Sequence, residues 1–155
     1  MKFIVDCMLG KLAKWLKVLG FDTTYYNKIE DSELIDKARK EDRVLLTRDT
    51  GIIENTQNVQ TLFIKSENWQ EQAAQVLDEF NLWTKIKPYS RCVECNAHLK
   101  RIPKRKAKNL VTPFVYRNAQ KFAVCPQCGR VYWQGTHYKN MESRIEKILK
   151  RGKKK

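Results

Sequence analysis

Residues 1–20, Met1-Lys2-Phe3-Ile4-Val5-Asp6-Cys7-Met8-Leu9-Gly10-Lys11-Leu12-Ala13-Lys14-Trp15-Leu16-Lys17-Val18-Leu19-Gly20, change their periodicity part-way along. Residues 2–6 read as a short buried strand that stops at an acid. From Met8 to Leu19 the apolar residues Met8, Leu9, Leu12, Ala13, Trp15, Leu16 and Leu19 recur at helical spacing. Lys11, Lys14 and Lys17 line the other side, and Gly20 is placed to end the helix in a left-handed conformation. A strand that passes straight into a helix opens a β–α alternation.

Working outward, Phe21 to Tyr26 reads as a second strand, and Asp31 precedes a helix over 32–41 with Leu34, Ile35 and Ala38 inward. Arg43 to Thr47 is a third strand, turning at Arg48-Asp49-Thr50-Gly51. Val59 to Ile64 is a fourth, and Trp69 to Phe80 a helix. This order predicts an α/β domain, a mainly parallel sheet flanked by helices on both faces, over residues 1–85. Residues 84–90, with Pro88, read as a linker. The expected second module, 86–155, carries short β stretches around Val111 to Tyr116 and Val131 to Trp133. A helix near 139–150 follows, and then a mobile Lys153-Lys154-Lys155.

Of 155 residues, 42% are hydrophobic and 31% charged, and no apolar run approaches 18 residues, which argues against a membrane span. The N-terminus is too short and too soon acidic for a signal peptide, so a cytoplasmic protein is expected. The net charge of +14 is divided unevenly. Residues 1–85 hold 12 Lys and Arg against 14 Asp and Glu, net −2; residues 86–155 hold 19 against 3, net +16. A charge distribution of this kind is the footprint of a polyanion-binding module.

Asp6 and Asp49 follow strands one and three, and Asp31 stands where a helix begins after strand two. Side chains leaving the carboxyl ends of parallel strands converge on one crevice. Two carboxylates there repel by roughly 1 kcal/mol at 4 Å in water, and by about 4 at an effective dielectric of 20. The usual offset for an oxygen-only cluster is a divalent cation, Mg²⁺ or Mn²⁺. Thr47 or Thr50 is available to orient a carboxylate, and Lys11 and Lys14 to meet phosphate. Each acid also has a plainer use: Asp31 as a helix N-cap and Asp49 in a local turn.

Cys92/Cys95 and Cys125/Cys128 form two C-x-x-C pairs, leaving Cys7 as a small buried apolar residue. Four thiolates fit a closed, structural Zn²⁺ site. The 29 residues between Cys95 and Cys125 form a basic insert that includes Lys104, Arg105 and Lys106. Tyr116, Phe122, Tyr132, Trp133 and Tyr138 alternate with Arg117, Lys121, Arg130 and Lys139, a pattern suited to base stacking with backbone neutralisation. His98 and His137 are each available to replace a thiolate or to meet phosphate, with a surface or packed histidine the plainer use.

Three segments carry a family likeness. The run Val5-Asp6-Cys7-Met8-Leu9-Gly10-Lys11-Leu12-Ala13-Lys14-Trp15-Leu16 through Gly20 resembles the PIN-like ribonuclease domain named after the C-terminal part of the Mut-seven nuclease (Mut7-C). So do Asp31-Ser32-Glu33-Leu34 with Arg43-Val44-Leu45-Leu46-Thr47-Arg48-Asp49, and Cys125-Pro126-Gln127-Cys128-Gly129-Arg130-Val131-Tyr132-Trp133-Gln134-Gly135-Thr136-His137. The resemblance implies a PIN-type fold with a C-terminal zinc ribbon and metal-dependent RNA hydrolysis. Asp6 and Asp49 match the family's acidic positions; Asp31 is the third, with Glu33 or Asp36 as substitutes. Cys7 departs from the family pattern.

The combined expectation is a Mg²⁺- or Mn²⁺-dependent ribonuclease with Asp6, Asp31 and Asp49 catalytic, and structural zinc on Cys92, Cys95, Cys125 and Cys128. RNA, with ribosomal or transfer RNA as candidate targets, is gripped by Lys11, Lys14, Arg105, Arg117, Arg130, Trp133 and His137. The expected chain is a monomer or homodimer. The alternative is a non-catalytic RNA- or ribosome-binding adaptor on a PIN-like scaffold.

Overall fold

The structure, a computed structural model, describes residues 1–153. Strand β1 (Lys2–Val5) leads through one 3₁₀ turn (Cys7–Leu9) into α1 (Gly10–Val18). The chain continues through β2 (Asp22–Tyr25), α2 (Asp31–Lys40), β3 (Val44–Thr47), the short α3 (Thr50–Ile53), β4 (Thr61–Phe63) and α4 (Trp69–Glu79). The four strands form one sheet in the order β2-β1-β3-β4, every pair parallel.

Alternation along β1 and β3 divides the core. Phe3, Val5, Val44 and Leu46 face Leu12 and Leu16 of α1 and Val76 and Leu77 of α4, whereas Ile4 and Leu45 face Leu34, Ile35 and Ala38 of α2 and Ile52 of α3. Burying both faces is what makes these strands read as nearly continuous apolar runs.

The second half contains β5 (Lys100–Ile102), α5 (Lys104–Ala107), α6 (Pro113–Asn118), β6 (Phe122–Val124), β7 (Val131–Trp133) and α7 (Thr136–Lys153). The antiparallel sheet β5-β6-β7 carries the ribbon, and α5 and α6 pack on it through Ala107, Ala119 and Phe122. The β stretch expected around Val111 to Tyr116 is instead helical. Thr112 accepts the Val115 N–H and Pro113 occupies the first turn, a start signal that outweighs the β-branched residues nearby. Helix α7 begins three residues earlier than the sequence suggested. Of the terminal lysines expected to be mobile, Lys153 closes α7, and Lys154 and Lys155 lie outside the described residues.

Helix α7 crosses back over the first half and buries Ile145 and Ile148 in the same core as Phe3 and Val76. At roughly 1.5–3 kcal/mol for each buried side chain, the pair contributes about 3–6 kcal/mol to that contact. The stretch read as a linker is likewise docked. The Lys87 and Tyr89 N–H groups donate to the Leu19 and Val18 carbonyls, and Arg91 Nε to that of Gly20. Gly20 has φ +96°, and a Cβ there would run into the Lys87 carbonyl oxygen, so the left-handed cap is also a contact point between halves.

Candidate active site and metal centre

The acids stand where the parallel sheet ends. Asp6 follows β1 and is only 4% exposed. Its Oδ2 accepts a hydrogen bond from Thr47 Oγ1 at 2.8 Å, and Thr47 Oγ1 in turn accepts from the Asp49 N–H at 2.9 Å. One fully buried hydroxyl on β3 therefore ties the ends of β1 and β3 together. Asp49 Oδ1 caps α3 by accepting the Gly51 N–H at 2.8 Å, so its turn role is real. The N-cap role considered for Asp31 is not: Glu30 occupies that position, and Asp31 is exposed in the first turn of α2.

Asp31 nevertheless belongs electrostatically to this group. Partial desolvation, followed by the charges of Asp49, Asp6 and Glu30, holds its carboxyl above the ordinary carboxylate range. No lysine or arginine among the described residues closes an ion pair on Asp6, Asp31 or Asp49. Among the described residues it is the four cysteines, not these acids, that form a set able to hold a metal ion, their sulfurs all within 4.8 Å of one another. Glu33 and Asp36 point elsewhere, pairing with Lys37 and Arg39 along α2.

Around this cluster two expectations fail. Cys7 and Met8 are exposed, because the chain makes a 3₁₀ turn before α1 and swings both outward. Partial burial together with the neighbouring Asp6 and Asp31 raises the Cys7 thiol. The Cys7 carbonyl accepts the Tyr25 hydroxyl at 2.8 Å, an approach that Gly10 permits: a Cβ there would lie 2.8 Å from Tyr25 Oη.

The cysteine centre is built by two matched knuckles. The Asn96 N–H donates to the Cys92 carbonyl and the Gly129 N–H to that of Cys125, each at 2.9 Å. Both residues are left-handed, Asn96 at φ +70° and Gly129 at φ +77°. Cys92 and Cys128 Sγ lie 3.7 Å apart, close to the edge of about 3.8 Å that a tetrahedron with 2.3 Å Zn–S bonds requires. Burial acts to raise the Cys92 thiol, but hydrogen bonds led by the Tyr132 hydroxyl outweigh it and bring it down to about 6. Cys95 is pushed the other way, up to about 12, by burial and by its bonds to the neighbouring sulfurs, so the cluster shares protons that a bound metal would displace. The donor set therefore fits Zn²⁺ with a closed shell.

Lys17 was expected on the solvent side of α1. It is 7% exposed, because the first knuckle covers that face. Desolvation lowers its ammonium, against the opposing influence of Glu94, Cys92 and Cys95. Asn96 also reaches the other half: Nδ2 donates to Asp22 Oδ1 at 2.7 Å, and Oδ1 accepts the Thr23 N–H. Arg43 Nη1 binds the same Asp22 oxygen at 2.7 Å.

Of the residues expected to meet RNA, Lys14, Arg130, Trp133 and His137 line a cleft between the two halves. Lys11 lies over the Trp69 ring, while Arg105 and Arg117 sit on the insert helices outside the cleft.

The family model for the Mut7-C RNAse domain matches residues 1–145, taking in both the acidic cluster and all four cysteines. The chain belongs to the Mut7-C RNAse domain family. No curated protein and no solved structure matched it. Membership gives this Mut7-C domain a ribonuclease character, with RNA as the class of substrate. Among its described residues no helix is long and apolar enough to cross a membrane.

Sequence reasoning named Thr47 only as one of two options and missed the parts played by Tyr25, Asn96 and Lys17 in the Mut7-C domain. Only Asn96 left a signal, as an Asn directly after a C-x-x-C pair where Gly129 follows the other.

Proposed function

We propose that this chain is a metal-dependent ribonuclease that hydrolyses RNA phosphodiesters, its basic zinc ribbon holding the RNA. The observation that carries this reading is the Thr47 bridge. Two acids from separate strands are fixed to one buried hydroxyl, a third acid bears on both, and no described cation pairs with any of them. An all-oxygen set of this charge suits Mg²⁺ or Mn²⁺, which Asp6, Asp31 and Asp49 would hold. Such an ion, when bound, lowers the pKa of a coordinated water and takes up charge on phosphoryl oxygen.

The protein's own part is positional. Thr47 fixes the Asp6 carboxylate and the backbone of Asp49, while Lys11 and Lys14 present positive charge from α1. Ribosomal or transfer RNA is the proposed target, met in the cytoplasm by a monomer or homodimer.

The test is cleavage of labelled RNA with Mn²⁺, with and without chelator, in wild type, Asp6→Asn and Asp49→Asn proteins. Chelator should abolish cleavage, and each substitution should lower it by roughly 100-fold or more. Metal-dependent cleavage unchanged in both variants would overturn the reading.

One observation favours an RNA- or ribosome-binding adaptor instead: among the described residues the sulfurs, and not the acids, form a set able to hold an ion. Bound Mn²⁺ that wild type takes up and Asp49→Asn does not would decide against the adaptor.

A further inference from the structure

A cleft of about 1700 Å³ separates the α1–β2 corner from the ribbon sheet and the start of α7. Sites for drug-sized ligands run to roughly 300–1,000 Å³, so this space suits a segment of polymer. Seven lysines and arginines line it against two acids, Glu94 and Glu142. These cations come from opposite walls: Lys14 from α1 on one side, Arg101, Lys121 and Arg130 from the ribbon on the other. A polyanion lying between them would be neutralised from both sides.

Two further features define what kind of polyanion. Trp133 lines the cleft with 40% of its surface exposed. An exposed indole face offers stacking to an unpaired base, whereas a duplex keeps its base faces covered. At the other wall are Gly10 and Tyr25, and the Tyr25 hydroxyl is bonded to the Cys7 carbonyl, one residue beyond Asp6. The cleft thus runs up to the backbone that carries the acidic cluster.

We infer that this cleft is the path of single-stranded RNA, with phosphates between Lys14 and the ribbon cations, a base on Trp133, and the strand leaving past Tyr25 toward Asp6. The inference rests on the ribonuclease reading and adds strandedness and a route. It also makes RNA binding a joint property of both halves rather than of the ribbon's outer surface.

Binding is measured by fluorescence anisotropy of a labelled single-stranded oligoribonucleotide, at fixed salt, on the full zinc-loaded chain carrying Asp6→Asn. Adding Lys14→Glu or Trp133→Ala should each weaken binding roughly 5- to 100-fold. Lys147→Glu, the same charge reversal on an exposed part of α7 outside the cleft, should change it less than twofold. A duplex of the same sequence should compete poorly. Parent-like binding by Lys14→Glu, or duplex competing as well as single strand, overturns the inference. So does a larger loss from Arg105→Glu with Arg117→Glu than from Lys14→Glu, since those residues sit outside the cleft. Cleavage is scored separately in the Asp6 protein. Absence of cleavage with the expected binding pattern rejects the nuclease and keeps the path; cleavage with an indifferent Lys14→Glu does the reverse.

Discussion

The two candidate metal centres of this chain are opposites in construction. The cysteine centre is drawn together by backbone: two left-handed residues close two knuckles, and the sulfurs converge within 4.8 Å. The acidic centre has one side chain, Thr47, bonded to the Asp6 carboxylate and the Asp49 N–H, and no described cation pairs with its acids. A structural ion can be gripped by a preformed, saturated shell. A centre that must admit water and a phosphodiester needs ligands held at one side only.

The hardest way to break this contrast is to remove zinc. Chelation, or Cys125→Ser, should unfold the ribbon and abolish RNA binding, given the roughly 10–16 kcal/mol that structural zinc supplies in peptides. Near-ultraviolet circular dichroism should collapse, whereas adding or withdrawing Mg²⁺ should leave it unchanged. A ribbon that survives chelation would mean that the knuckles do not depend on the ion.

A finer probe is Thr47→Val, nearly isosteric, which strands a buried Asp6 oxygen and the Asp49 N–H. Stability should fall by about 1–3 kcal/mol in urea titrations. Cleavage should fall with it, while RNA binding and zinc content hold. If cleavage is untouched, the hydroxyl bridge is only structural.

The smallest effect tests the joint between the two centres. Burial acts to raise the Asp22 carboxyl, but Arg43 and Asn96 outweigh it and hold it below its ordinary value of 3.8. A carboxyl depressed in the folded state stabilises above its unfolded pKa and loses that stabilisation as pH falls through the folded one. Asp22→Asn should therefore cost about 1 kcal/mol at neutral pH. The gap to wild type should persist down to the ordinary carboxylate range and close below it. A gap that closes already near neutrality would assign the effect to another group.

Much of this was legible in the chain itself. Strands ending at Asp6 and Asp49 are visible because a parallel sheet buried on both faces leaves an unmistakable apolar run before each acid. Cysteine spacing is equally plain. Helix α6 was hidden because six residues hold too little periodicity to separate helix from strand, so capping decided it. Lys17 and the reach of Asn96 to Asp22 were hidden for another reason. A helical face shows in sequence only when it has one neighbour. Here α1 has the sheet and α4 on one side and the first knuckle on another, so a lysine at a polar position ends up covered. Nothing local records a partner that distant.

Helix α7 bears on how the protein is made. Its isoleucines complete the hydrophobic surface beneath α4, yet they are translated only after the entire ribbon. During synthesis the first half emerges with that patch bare and stays incompletely assembled until the last helix clears the exit tunnel. Completion of the first half's core is thereby deferred until the ribbon already exists.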